Sequence, residues 1–261
     1  MPQIDSISPY PVLDPAHPIA ALSHLCALTV MAKAPRPGRV KTRLSPPLTL
    51  EQAAALNVEF LRDTTENLAS IQHGAGLISY TPVGEEALFQ SLLPDTFALV
   101  PQRGDAFGER LFAAAHDVLS IGYGAVCLID SDSPTVPAAA FMQAVEALRR
   151  PGDRIVLGPS HDGGYYLIGM KDTHREPFEN IAWSTNAVFS QTLQRCHDAG
   201  FEVVTLPIWY DVDDAMTLAL LREELLNGVA PSFTTMDGYQ ARHTREILMQ
   251  MESSGPAVSR S

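Results

Sequence analysis

Short apolar runs alternate with helical patterns of ten or more residues, and this alternation constrains the fold more than any other feature of the chain. Residues 25–32 are an almost unbroken apolar run that stops at a Pro- and Gly-rich loop, the pattern of a strand covered on both faces. Ala53, Leu56, Phe60, Thr64 and Leu68 then recur at helical spacing, with Thr49 placed to cap the helix. Further strands are expected over 76–81, 97–100, 124–129, 154–157, 165–168 and 201–206. Helices are expected over 84–92, 107–119, 137–149, 186–199 with Gly200 closing it, and 215–226, and one more within 233–251. Strands separated by such helices imply an α/β fold with a mostly parallel, doubly wound sheet, and in these sheets ligands bind beyond the carboxyl ends of the strands. No repeat or linker divides the pattern, so one domain is expected over 19–251, between a loose Pro-rich extension over 1–18 and a polar tail over 252–261.

Lysine and arginine number 18 against 30 aspartates and glutamates, a net charge of −12. A surface of that sign argues against nonspecific binding to nucleic acid or to an anionic membrane. The cations are unevenly placed: none falls in residues 1–32, and then Lys33, Arg36, Arg39, Lys41 and Arg43 fall within eleven residues directly after the first strand. A cationic strand-to-helix loop with Gly38 for close backbone approach, stiffened by Pro35 and Pro37, is suited to a small phosphate-bearing anion. The competing reading is a solvated loop that happens to be basic. Val40 stands where a Walker A loop needs the glycine before its lysine, and no Gly-x-Gly-x-x-Gly follows the first strand.

The strand ending at Ile129 leads into Asp130-Ser131-Asp132-Ser133-Pro134. Carboxylates two apart on extended chain point the same way, so Asp130 and Asp132 are placed to face one cation, although Asp and Ser before Pro are also ordinary turn formers. A second acidic cluster, Asp211-Val212-Asp213-Asp214, follows the 201–206 strand, where Asp213 or Asp214 can equally cap the next helix. Two acidic clusters and one basic loop, all after strands, fit a metal–diphosphate site in which Asp130, Asp132, Asp211 and Asp213 supply oxygen ligands to Mg2+ or Mn2+.

Six segments in order, 33–44, 102–110, 130–134, 158–166, 183–185 and 211–213, resemble an uncharacterised bacterial family of the GT-A glycosyltransferase superfamily, some members of which are described as radical-SAM/selenodomain-associated transferases. The resemblance spans residues 25–226 and is specific for the family more than for the reaction. It implies a Rossmann-like GT-A (nucleotide-diphospho-sugar transferase) three-layer sandwich that binds a nucleotide and a divalent metal. By position it implies Lys33, Arg39, Lys41 and Arg43 as the phosphate clamp, Gln102 and Gly104 as the base-contacting segment, and Asp132 and Asp213 as metal ligands. The family pattern often carries glycine at the position of Asp130, which makes Asp132 the firmer ligand of that pair.

The resemblance also takes in His161-Asp162-Gly163-Gly164-Tyr165-Tyr166 and Trp183. His161, Gly163, Gly164, Tyr165 and Trp183 are expected on the acceptor side, the glycines letting an acceptor approach the backbone, with Asp162 as a base for its hydroxyl. A turn into an edge strand, and a tryptophan in the core, are the plainer readings of the same residues. With Lys41 and Asp132, Asp162 completes the expected catalytic set. The function expected is a metal-dependent transferase using a nucleoside triphosphate with a small phosphorylated acceptor, or a nucleotide sugar with a small-molecule acceptor. The alternative is a nucleotide-binding regulatory protein without turnover. Three cysteines make no disulfide framework, Cys26 and Cys127 read as small buried hydrophobes, and no signal-peptide pattern opens the chain, so a cytoplasmic location is expected.

Overall fold

A computed structural model of the protein describes residues 11–234 and 236–253. In chain order its elements are β1 (Cys26–Lys33), α1 (Leu50–Ala69), β2 (Gly74–Thr81), α2 (Glu86–Leu92), β3 (Ala98–Pro101), α3 (Phe107–Ile121), β4 (Ala125–Ile129), α4 (Ala138–Arg149), β5 (Arg154–Pro159), β6 (Tyr165–Met170), α5 (Val188–Asp198), β7 (Glu202–Thr205), α6 (Ala215–Asn227) and α7 (Arg242–Ser253). Every strand and helix read from periodicity is present, with ends shifted by a few residues. Local chemistry explains several of those ends. Thr49 caps α1 in a capping box with Gln52, and Asp214 caps α6 by accepting from Met216 N and Thr217 N. Gly122 and Gly228 close α3 and α6 in the left-handed conformation.

The strands form one sheet in the order β3-β2-β1-β4-β6-β5-β7. All neighbours pair in parallel except β6, which runs antiparallel to both β4 and β5. The reversal follows from the connection. Ser160 N donates to Gly164 O at 3.0 Å, so β5 and β6 are joined by a turn too short for a parallel crossover. Along β1, Leu28 and Val30 face one core and Ala27 the other, as the two-residue period requires. One core is closed by α1, α2, α4, α6 and α7, and the other by α3 and α5. The result is the expected three-layer sandwich. Its carboxyl edge gathers the loops after β1, β4, β5 and β7.

The Pro-rich extension is held to the sheet within its described part. Leu13 N donates to Leu99 O at 2.8 Å and Leu99 N to Pro11 O at 3.0 Å, covering backbone groups of the β3 edge that would otherwise be bare. Residues 1–10 and 254–261 lie outside the described residues. Among the described residues no helix is long and apolar enough to cross a membrane.

Two packing features give expected outcomes. A Cβ at Gly76 in β2 would lie 2.3 Å from the Phe97 ring, which is 1% exposed. Gly76→Ala is therefore expected to lower stability by about 1–3 kcal/mol, seen as a lower urea midpoint at unchanged slope. Cys26, Cys127 and Cys196 are all buried, with the first two sulfurs 3.8 Å apart across β1 and β4. The Cys26 contact and burial raise the Cys127 thiol well above its ordinary value, and burial pushes Cys196 up to about 12. Iodoacetamide at pH 8 is expected to spare all three in the native protein and to label all three in urea, read by intact mass.

Candidate active site

Lys41 is where the three loops meet. Its backbone is left-handed (φ 48°), which is uncommon for a side-chain-bearing residue, and its side chain is 4% exposed. The ammonium donates to Asp132 Oδ1 at 2.7 Å, Asp213 Oδ1 at 2.8 Å and the Val212 carbonyl at 2.8 Å, with the Phe60 ring 5.9 Å away. Three protons thus meet three acceptors, and the loops after β1, β4 and β7 are tied to one nitrogen. Val212 N also donates to Asp132 O at 2.9 Å. Burial opposes the charge on Lys41, but the Asp132 and Asp213 carboxylates outweigh it and hold its pKa above the ordinary lysine value.

The other aspartates do not converge on the same point. Asp130 is turned into its own loop, accepting from Ser133 Oγ at 2.7 Å and Asp132 N at 3.2 Å. Asp211 accepts from Ser160 Oγ at 2.9 Å. Asp214 serves α6, which frees Asp213 for the site. Burial and the neighbouring Asp132 raise Asp130 well above the usual carboxylate range, and burial, with Asp162 and Asp213, lifts Asp211 to about 6. Each Asp130 oxygen thus accepts one bond within its own loop, while Asp130 and Asp132 both line the larger of the two cavities beside Lys41.

Two cavities open beside Lys41. A smaller one, of about 260 Å3, is lined by Lys33, Arg39, Lys41, Arg43, Asn57 and Asp132, among others. A larger one, of about 470 Å3, has Phe107, Tyr165, Trp183, Asp130 and Asp162 in its wall. Arg43, Ser131, Asp132 and Asp213 line both and so form the rim between them. The Arg43 guanidinium lies 3.6 Å from Asp213 and is well exposed.

The five loop cations separate into different roles. Arg36 pairs with Glu85 at 2.6 Å and lines neither cavity. Lys41 is saturated by its three acceptors. Lys33, Arg39 and Arg43 face the smaller cavity. Gly38 (φ 72°) supplies a turn rather than a lining surface.

Gln102 donates from Nε2 to Ser79 O at 2.7 Å, clasping the end of β2, and lines neither cavity. Gly104 (φ 102°) sits against the backbone of Glu109 at the start of α3. Of the expected acceptor residues, Asp162, Gly164, Tyr165 and Trp183 line the larger cavity. His161 does not; its ring stacks on Phe233 with centroids 4.5 Å apart. The space over Gly163 is filled as well. A Cβ there would lie 2.2 Å from Asn186 O, so this glycine admits the loop before α5 rather than an acceptor.

Sequence reasoning missed Asn57, Ser131 and Phe107. Asn57 is one of several buried polar residues of α1, with Asp63, Thr64, Thr65 and Asn67, so its burial alone does not single it out. Phe107 reads as a core position of α3, yet it is 46% exposed and meets Trp183 edge-on at 5.1 Å.

The family model for "Uncharacterized protein conserved in bacteria (DUF2064)" matches residues 64–185, a span holding Asp130, Asp132, Asp162 and Trp183 but neither the basic loop nor Asp213. A candidate nucleotide-diphospho-sugar transferase from Desulfovibrio desulfuricans G20 is 30% identical, with 87% of this chain and 95% of that one covered, at a TM-score of 0.75. The protein belongs to this bacterial GT-A-like family. The structure of CMP:2-keto-3-deoxy-manno-octonic acid synthetase complexed with CTP shares the fold at 12% identity and a TM-score of 0.50, over 78% of this chain and 100% of that one. No curated protein matches the chain.

Proposed function

We propose that this family member is a divalent-metal-dependent transferase that moves a glycosyl group from a nucleotide diphospho-sugar to a hydroxyl-bearing acceptor. The observation carrying this reading is the pair of cavities with one rim: a cationic chamber for phosphates and a larger acidic–aromatic chamber, meeting at Arg43, Asp132 and Asp213. With Arg36 paired to Glu85 and Lys41 saturated, three cations remain for phosphates, a number that suits a diphosphate leaving group better than a triphosphate.

Asp132 and Asp213 are hard oxygen donors, 33% and 36% exposed at the rim, and they fit an ion that takes one or two carboxylates together with phosphate oxygens. They would hold Mg2+ or Mn2+, which when bound supplies a Lewis acid for the departing diphosphate. Lys41 holds both carboxylates in place. Lys33, Arg39 and Arg43 balance charge on the leaving group. The acceptor oxygen bonds to the anomeric carbon as the bond from that carbon to the phosphate oxygen breaks. The electron pair leaves with the nucleoside diphosphate, and Asp162 takes the hydroxyl proton. No enzymatic nucleophile is required, and positioning with charge neutralisation supplies the rate.

The test is product analysis after incubation with a panel of nucleotide sugars or nucleoside triphosphates and Mg2+. Nucleoside diphosphate release is expected, falling by about 10²-fold or more when EDTA removes the metal. Pyrophosphate release from a triphosphate, with nucleotide sugars left intact, would replace this reading by nucleotidyl transfer.

A further inference from the structure

The larger cavity differs from the smaller one in a way that bears on the acceptor. Asp130, Asp132, Asp162 and Asp213 line it, against one cation, Arg43. Arg43 also lines the phosphate chamber, where a bound donor would engage it. Asp132 and Asp213 are already paired with Lys41, and Asp130 accepts from Ser133 and Asp132 N, which leaves Asp162 as the carboxylate facing the acceptor. Part of the wall is aromatic: Phe107 meets Trp183 edge-on at 5.1 Å, and Tyr165 meets Trp183 at 6.5 Å. Phe107 leaves nearly half its surface uncovered there.

We infer that the acceptor is a hydroxyl-bearing molecule with an apolar ring face and no anionic group, so that phosphorylated acceptors are excluded. The inference rests on the transferase reading above and narrows it. A phosphate placed beside Asp162 would be repelled by that carboxylate. A hydroxyl can donate to Asp162, and a ring face can cover Phe107 and Trp183. The phosphorylated acceptor expected beside a triphosphate donor therefore does not suit this cavity.

The test does not depend on turnover. Trp183 lines the cavity and the other tryptophan, Trp209, is fully buried, so Trp183 fluorescence reports occupancy, with Trp183→Phe as the control that removes the signal. The intact protein is titrated with phenyl β-glucoside and with the same glucoside carrying a 6-phosphate. Quenching by the neutral probe is expected, with binding of the phosphorylated probe weaker by about tenfold or more. Phe107→Ala is expected to weaken the neutral probe about tenfold. Asp162→Lys, in an exposed turn, is expected to shrink or reverse the preference.

Equal or tighter binding of the phosphorylated probe overturns the inference. So does silence from both probes while calorimetry shows that a nucleotide sugar binds; that outcome leaves the donor reading intact. Absence of nucleotide-sugar binding, with the probe preference present, would instead remove the donor reading alone.

Discussion

Lys41→Met is expected to slow turnover by about 10²–10³-fold, and the reason is not loss of a phosphate contact. The ammonium is the common partner of Asp132, Asp213 and the Val212 carbonyl. Removing it leaves two carboxylates facing each other beside a buried, apolar space over Phe60, and the loops after β4 and β7 lose their shared anchor. Breaking a fully buried pair costs about 3–5 kcal/mol. Both aspartates are about one-third exposed, so water offsets part of that cost and about 2–3 kcal/mol is the expected loss of stability. Urea unfolding measures it. The cycle with Asp132→Asn is informative: once Lys41 is gone, neutralising Asp132 should recover stability, giving a double variant less damaged than the sum. Strict additivity would show that the three charges are not one unit.

Asp132→Asn and Asp213→Asn are each expected to cut turnover by about 10²–10³-fold, and the double variant little further, because residues acting on one ion fail together. A second readout is independent of activity. A metal present at 100 times its Kd stabilises the native state by about 2.7 kcal/mol, which for a domain of this size is a rise in Tm of about 5–10 °C. Wild-type protein should show that rise with Mg2+ or Mn2+, and the double variant should not. A double variant that keeps the full shift would move the metal elsewhere. The acid–histidine groups Asp63, Glu66, His243 and Asp153, Asp172, His174 are the next places to look, although Asp63 already accepts from the His243 and Thr244 backbone.

Lys41 also bears on what the resting site is. The place between Asp132 and Asp213 is held by an internal cation, so the two loops are arranged before any ligand arrives. Such preorganisation lowers the ordering cost of binding a charged donor. Of the five loop cations, four line the phosphate chamber, and one of those four, Lys41, is already engaged by Asp132, Asp213 and the Val212 carbonyl.

Much of this protein was legible in its sequence, for a physical reason that is local. A strand buried on both faces needs an apolar run, and a helix on a sheet needs an apolar stripe at its own period. β1, α1, β4 and α6 could therefore be placed from neighbours a few residues away. Once strands and helices alternate, the parallel sheet follows, and so does the edge on which the basic loop, Asp132 and Asp213 stand. What the sequence could not decide are pairings between distant residues. Lys41 and Asp213 are 172 positions apart, and nothing local indicates that this lysine is saturated while Lys33, Arg39 and Arg43 face the cavity. The same holds for Arg36, taken by Glu85, for Gly163, pressed on Asn186, and for α7, whose first amides are met by Asp63 of α1. Periodicity records which face of an element is buried. Only the packed chain determines which charge meets which, because that depends on where the loops of separate strands come to rest.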